Sequence, residues 1–107
     1  MEGIFHPFLI MKPYKEKTIN ENIFERTFLE NNSAAYIWHR DEENRKITVL
    51  ESGKDWFFQI DNKLPEVLYP GKVILIEAHV FHRVIAGSER LKVEIVKESQ
   101  NSKSWIK

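Results

Sequence analysis

The sequence predicts a single all-β domain, a sandwich or barrel built from about seven or eight short strands. Three observations support this prediction. The chain has 107 residues, the size of one domain. No window shows helical periodicity, and turn-forming residues recur between short apolar or aromatic segments. Hydrophobic residues make up 42% of the chain, which is enough for one compact core and too little for two at this length.

The predicted elements begin after an irregular arm of residues 1–20, where Pro7 and Pro13 interrupt regular structure. The apolar side chains of this arm are expected either to lie across one end of a barrel or to pair as an edge strand. Alternating or aromatic-rich segments bounded by turn residues then predict the strands. These segments are residues 23–29, 34–40, 45–51, 56–60, 67–68, 72–76, 80–85 and 91–96.

Three further expectations concern the ends and faces of these strands. Residues 52–55 are expected to form a turn, because Ser52 and Gly53 favour one. Residues 72–76 are expected to be buried on both faces, because their apolar side chains run without alternation. The polar tail of residues 97–107 is expected to be frayed.

Composition excludes several classes of partner and site. The chain carries 16 basic and 16 acidic residues, so no net positive charge favours a nucleic-acid partner. It has no cysteine, which rules out disulfides and thiolate metal sites. No apolar run reaches the roughly 20 residues that a membrane span requires, and the N-terminus lacks the pattern of a signal peptide. A cytoplasmic location without a membrane partner is therefore expected.

Two histidine-bearing segments contain the residues with chemical potential. The first contains His39 and Asp41, which lie two apart in a predicted strand and so point to the same side. In the second segment, Gly71 is followed by five residues and then by Glu77, Ala78, His79, two residues and His82.

These segments resemble the two sequence motifs of the cupins. Gly71 and His82 match the glycine and histidine of the second motif in register, and His39 with Asp41 resembles the start of the first. The resemblance covers residues 34–96 and implies a small jelly-roll barrel, a double-stranded β-helix. It is specific for the fold and weak for activity, because cupins include enzymes, storage proteins, sensors and sugar-binding modules.

The glutamate of the first cupin motif is replaced by a cation. Counting along the motif places Arg45 at that position in one register and Lys46 in the other. Arg45 is preferred, because it shares a strand face with the apolar residues Ile47 and Val49.

The resemblance implies that His39, Asp41 and His82 meet in the barrel interior, and three interpretations of that site are open. They are a divalent-metal site for Fe, Mn, Ni or Zn, a buried network with Arg45, or a metal-free pocket that binds an anionic or sugar-like ligand through Arg45. Glu77 is a further candidate for ligand binding near the barrel mouth. His79 is expected to be an exposed turn residue.

The outward-facing aromatic side chains predict a homodimer. If His39 and His82 face inward, a patch faces outward and is expected to contact a second copy. Its members are Tyr36, Trp38, Phe81 and Ile85. Covering of this patch by the N-terminal arm is the alternative.

Three functions are open, and the first two rest on the resemblance to cupins. The first is a small-molecule-binding cupin with a divalent metal in its interior. The second is a metal-dependent enzyme, a dioxygenase or isomerase that acts on a small polar or anionic molecule. The third is a non-catalytic interaction module that uses the outer aromatic patch.

Overall fold

The computed structural model describes residues 14–29 and 37–98, and these residues form an all-β domain in two antiparallel sheets. The prediction of an all-β jelly-roll barrel is confirmed. Eight strands follow one another along the described chain. They are β1 (Tyr14–Thr18), β2 (Ile23–Phe28), β3 (Asn44–Lys54), β4 (Phe57–Ile60), β5 (Glu66–Val67), β6 (Val73–Ile76), β7 (His82–Ile85) and β8 (Ser88–Glu98).

The larger sheet has the strand order β1-β2-β8-β3-β6, and the smaller has the order β5-β4-β7. Side chains alternate between the two faces of each strand, so one face of each sheet lines the interior. In β8 the inward side chains are Leu91, Val93 and Ile95, all of which are buried. The core also includes Phe24, Phe28, Val49, Trp56, Phe58, Leu68, Ile74 and Ile76.

Strand β3 is longer than the sequence predicts. Residues 52–54 were expected to turn but continue the strand, with shifts in its pairing to β8 between Val49 and Glu51 and between Ser52 and Lys54. Such irregularities bend a strand without ending it. The chain turns at Asp55, which has a positive φ of 63°.

The prediction that residues 72–76 are buried on both faces is wrong. Strand β6 alternates between exposed and buried residues, with Val73 and Leu75 exposed and Ile74 and Ile76 buried. Its inward side chains belong to the core, and among the described residues no second layer covers its outward side chains.

The arm predicted as irregular contains a strand. Tyr14–Thr18 forms β1, which pairs with β2 so that Tyr14 lies opposite Phe28 and Glu16 opposite Arg26. Residues 1–13 lie outside the described part of the chain, as do residues 99–107. Lys97 and Glu98 of the predicted tail belong to β8.

The predicted strand 34–40 is described only from residue 37. Within 37–40, the structure has a single bridge between His39 and His82 in place of a continuous strand.

Two turn positions of the second histidine segment have left-handed backbone conformations. Gly71 has φ 92°, which a residue without a Cβ adopts at low cost. His79 has φ 68° and is exposed, as expected for a turn residue.

Candidate metal and ligand site in the barrel interior

The barrel interior contains a cavity of about 330 Å³. Its wall is mainly apolar, with Phe28, Ile47 and Phe58 among the lining residues. The charged and titratable side chains in the wall are few. They are Tyr14, Arg26, His39, Asp41, Arg45 and His82. A cavity of this size and character is typical of small-molecule sites.

Backbone pairing places the two histidines side by side. The backbone N–H of His39 donates to the carbonyl oxygen of His82 at 3.0 Å, and the N–H of His82 donates back at 2.9 Å. The N–H of His79 donates to the carbonyl oxygen of Asp41 at 2.7 Å. The segment that carries His39 and Asp41 is therefore fixed to the turn that precedes β7.

The side chains of His39, Asp41 and His82 form a compact cluster. One nitrogen or oxygen atom from each lies within 4.8 Å of the others. The two imidazole rings meet edge to face, with their centroids 4.3 Å apart. His82 is buried, Asp41 is half-buried and His39 is exposed.

Hydrogen bonds fix which imidazole nitrogens face the cluster. Nδ1 of His82 lies 2.8 Å from the carbonyl oxygen of Val80, and Nδ1 of His39 lies 3.3 Å from that of Ile37. A carbonyl oxygen only accepts, so Nδ1 is the protonated nitrogen in each neutral ring. Both Nε2 atoms then carry a lone pair, and backbone carbonyls commonly orient metal-binding histidines in this way.

Asp41 supplies a buried oxygen without a hydrogen bond. Its Oδ2 lies 3.2 Å from Nε2 of His82, yet it has no hydrogen-bond partner of acceptable geometry. A buried carboxylate oxygen without a hydrogen bond is costly, and a metal cation bound by this oxygen and by the two Nε2 atoms would satisfy it. The donor set of two imidazoles and one carboxylate suits Fe(II), Mn(II), Ni(II) or Zn(II), so the residues fit a divalent metal.

Arg45 is buried and is held by two acidic side chains. Its Nη2 lies 3.4 Å from Oδ1 of Asp41, and its Nε donates to Oε2 of Glu43 at 2.7 Å. Asp41 therefore contacts the guanidinium with one oxygen and keeps Oδ2 for the histidine cluster. Glu43 neutralises much of the charge that would otherwise repel a metal ion.

Electrostatic contacts alter two pKa values in the cluster. Partial burial of the ring and the neighbouring His82 lower the pKa of His39, although part of this residue is exposed. Burial alone would raise the pKa of Asp41, but the contact with His82 and the charge of Arg45 outweigh it and lower that pKa. Near neutral pH, His39 is therefore neutral and Asp41 is ionised, which are the forms that bind metals.

Replacing Arg45 with methionine tests the effect of its charge on the cluster. We expect Arg45→Met to raise the affinity for a divalent cation by about tenfold or more, because it removes a positive charge and releases Oδ1 of Asp41. Competition with a chelating indicator measures the change. Lys46→Met on the exposed face of β3 is the control, and equal affinities of the two variants would contradict the expectation.

Other predicted residues lie away from the cluster. Glu77 is exposed and does not line the cavity, and Lys46 is also exposed. Sequence reasoning missed Arg26 and Glu43. The signal was present for both: Arg26 alternates with Phe24 and Phe28, and Glu43 lies two residues from Asp41 and from Arg45.

The outer aromatic patch is less apolar than the sequence suggests. Trp38 and Phe81 are exposed, but the guanidinium of Arg83 lies 4.7 Å from the Trp38 ring and that of Arg40 lies 5.3 Å from the Phe81 ring. Ile85 is half-buried. Tyr36 lies outside the described residues. The homodimer stays a prediction, and light scattering that reports a monomer would contradict it.

Solved structures with the same architecture identify the fold. A cupin-like protein from Thermotoga maritima matches with a TM-score of 0.61 and 21% identity, over 82% of this chain and 68% of its own. KdgF from Halomonas sp. matches with a TM-score of 0.61 and 15% identity, over 82% of each chain. Fe(II) HppE matches with a TM-score of 0.56 and 22% identity, over 71% of this chain and 41% of its own.

At these identities the comparisons establish the fold, and the chain is a small domain with the cupin fold. No protein-family model matches the sequence, and a search of curated proteins found no match. In the described part of the chain, no helix has the length and apolar character needed to cross a membrane.

Proposed function

We propose that this chain binds a small molecule in the barrel interior, beside a divalent metal ion held by His39, Asp41 and His82. The observation that carries the proposal is the buried Oδ2 of Asp41, which faces Nε2 of His82 at 3.2 Å and lacks a hydrogen bond. A metal bound there would act as a Lewis acid on a polar group of the ligand. The mainly apolar wall would enclose the rest of that molecule.

Metal analysis of the protein purified without a histidine tag tests this proposal. We expect one equivalent of a divalent metal per chain after dialysis, or saturation at one equivalent in a titration with Co(II). Nitrogen and oxygen ligands would give Co(II) its visible absorption bands, which report the ligand field directly. Failure to bind any of Fe, Mn, Ni, Zn or Co at micromolar concentration would overturn the metal part of the proposal.

A metal-dependent enzyme is the second candidate function. It is favoured by the number of donors, because two histidines and one carboxylate leave coordination positions open on a metal. The same donor set occurs in non-haem Fe(II) oxygenases. HppE, one of the proteins of similar fold, has been solved with Fe(II) and with Co(II) and substrate.

The enzyme proposal requires an open position that exchanges with solvent or substrate. Mn(II) bound to the protein is expected to enhance the relaxation of water protons, because at least one water would remain on the metal. A Mn(II) complex without rapidly exchanging water would contradict the enzymatic role and leave a closed, structural metal site.

A further inference from the structure

Arg26 is a second cavity-lining guanidinium, and its environment differs from that of Arg45. Its Nε donates to Oε2 of Glu16 at 3.0 Å, and its Cζ lies 4.1 Å from the centre of the Tyr14 ring. Tyr14 and Glu16 lie two apart in β1, and Glu16 is directly opposite Arg26 in the pairing with β2. Strand β1 therefore contacts the face of this guanidinium through Tyr14 and one of its edges through Glu16.

The terminal nitrogens of Arg26 are the part that can bind a ligand. Among residues 14–29 and 37–98, Arg26 forms its side-chain hydrogen bond through Nε alone. The Nη1 and Nη2 groups provide four further N–H donors in a planar fork that matches a carboxylate. Arg45, in contrast, already contacts Glu43 through Nε and Asp41 through Nη2.

With a divalent metal bound to the histidine cluster, the charges around Phe24 would favour a negatively charged ligand. Arg26, Arg45 and Lys97 each place a cationic group within 5.6 Å of the Phe24 ring centre. Three carboxylates, those of Glu16, Asp41 and Glu43, contact the two arginines and balance part of this positive charge. A divalent metal on the histidine cluster would add two positive charges, which an anionic ligand would reduce.

We infer that the interior cavity takes a small molecule with an apolar body and a carboxylate group, and that the carboxylate binds the free edge of Arg26. This inference rests on the proposed function, because it specifies the class of ligand for the same cavity. Arg26 takes the anion-binding role that the sequence suggested for Arg45. Tyr14 and Glu16 act as positioning residues, since each contacts Arg26 and holds its guanidinium.

A matched pair of probes separates charge recognition from apolar binding. The protein as purified is titrated by calorimetry with 2-naphthoate and with 2-naphthamide, which share an apolar body and differ in charge. We expect naphthoate to bind about tenfold more tightly or better, as a charge-assisted pair of hydrogen bonds provides. Similar affinities, or binding of neither probe, would overturn the inference.

Substitution of Arg26 assigns the preference to this residue. Arg26→Gln is expected to reduce the preference for naphthoate to near unity, and Arg26→Lys, which keeps the charge but not the fork, is expected to retain part of it. Arg90→Gln is the control, because Arg90 is an exposed arginine that pairs with Glu51. A full preference in Arg26→Gln would overturn the inference. The wild-type comparison and Arg26→Lys keep the test decisive even if Arg26→Gln does not fold.

The same titrations with EDTA present separate this inference from the metal proposal. We expect the preference for naphthoate to persist without metal, because it depends on Arg26. The opposite result would be a preference that disappears with EDTA but persists in Arg26→Gln. It would show that a metal binds the carboxylate, and it would overturn the inference. Metal binding at one equivalent without discrimination between the probes would leave the metal proposal standing and contradict only the role of Arg26.

Discussion

Replacing His82 with alanine is expected to abolish stoichiometric metal binding while leaving the barrel folded. His82 supplies one of three donor atoms, and loss of even an outer hydrogen-bonding partner of a ligand typically lowers metal affinity by about 10–100-fold. Loss of the ligand itself should lower it by about a hundredfold or more. Elemental analysis and Co(II) titration of wild type and His82→Ala measure the effect.

His79→Asn is the matched control for this substitution. It removes a histidine from the turn just before β7, at a position with φ 68° that asparagine tolerates. We expect it to bind metal as wild type does. Loss of metal from both variants would point to damage of the turn and not to the loss of a ligand.

The same variant distinguishes a metal site from a buried polar network. If the cluster is only a network with Arg45, wild type retains no metal, and His82→Ala lowers the free energy of unfolding by about 1–3 kcal/mol, because it removes the buried imidazole that contacts the carbonyl oxygen of Val80 and Oδ2 of Asp41. A denaturant melt measures that loss. A variant unchanged in both metal content and stability would contradict the inward role of His82.

Much of the fold was predictable because its signal is local. Turn residues separate the strands, and the spacing from Gly71 to His82 places one histidine at the start of β7. The convergence of His39 and His82 also followed from that spacing, through the resemblance to cupins. The sequence did not predict that Oδ2 of Asp41 lacks a hydrogen bond. This property depends on side-chain torsion angles, which the alternation of residues along a strand does not specify.

The errors have physical reasons. Strand β1 was missed because, of its five residues, only Tyr14 is apolar and the other four are exposed, so its sequence has no apolar alternation. Strand β6 was predicted to be buried on both faces because its residues are all apolar. A strand with exposed apolar side chains on one face has the same sequence pattern, so the sequence does not distinguish the two cases.

The role of Arg45 was predicted without its nearest acidic partner. The sequence suggested a network of Arg45 with His39, Asp41 and His82, but not the contact with Glu43. In the structure Glu43 is its closest partner, at 2.7 Å. Charge balance in the interior therefore depends on contacts among several side chains, which a motif comparison at single positions does not capture.

Trp56→Ala is expected to have the largest effect on stability of any single substitution considered for this chain. Trp56 has no exposed surface, and its ring lies 6.3 Å from that of Phe28 across the core. Its Nε1 donates to the carbonyl oxygen of Ser88 at 3.0 Å, which joins the start of β4 to the start of β8. Truncation removes this hydrogen bond and leaves a large cavity, at a cost of about 3–5 kcal/mol.

A loss of that size is a large fraction of the roughly 5–15 kcal/mol that stabilises a typical domain. Urea unfolding followed by far-UV circular dichroism measures it without relying on tryptophan fluorescence. Trp56→Phe keeps most of the apolar volume and loses the hydrogen bond, so we expect a smaller cost of about 1–3 kcal/mol. Trp38→Ala is the control for an exposed tryptophan, and its cost should be well below that of Trp56→Ala because a cavity does not form at the surface. Equal costs at the two positions would contradict the central role of Trp56 in the core.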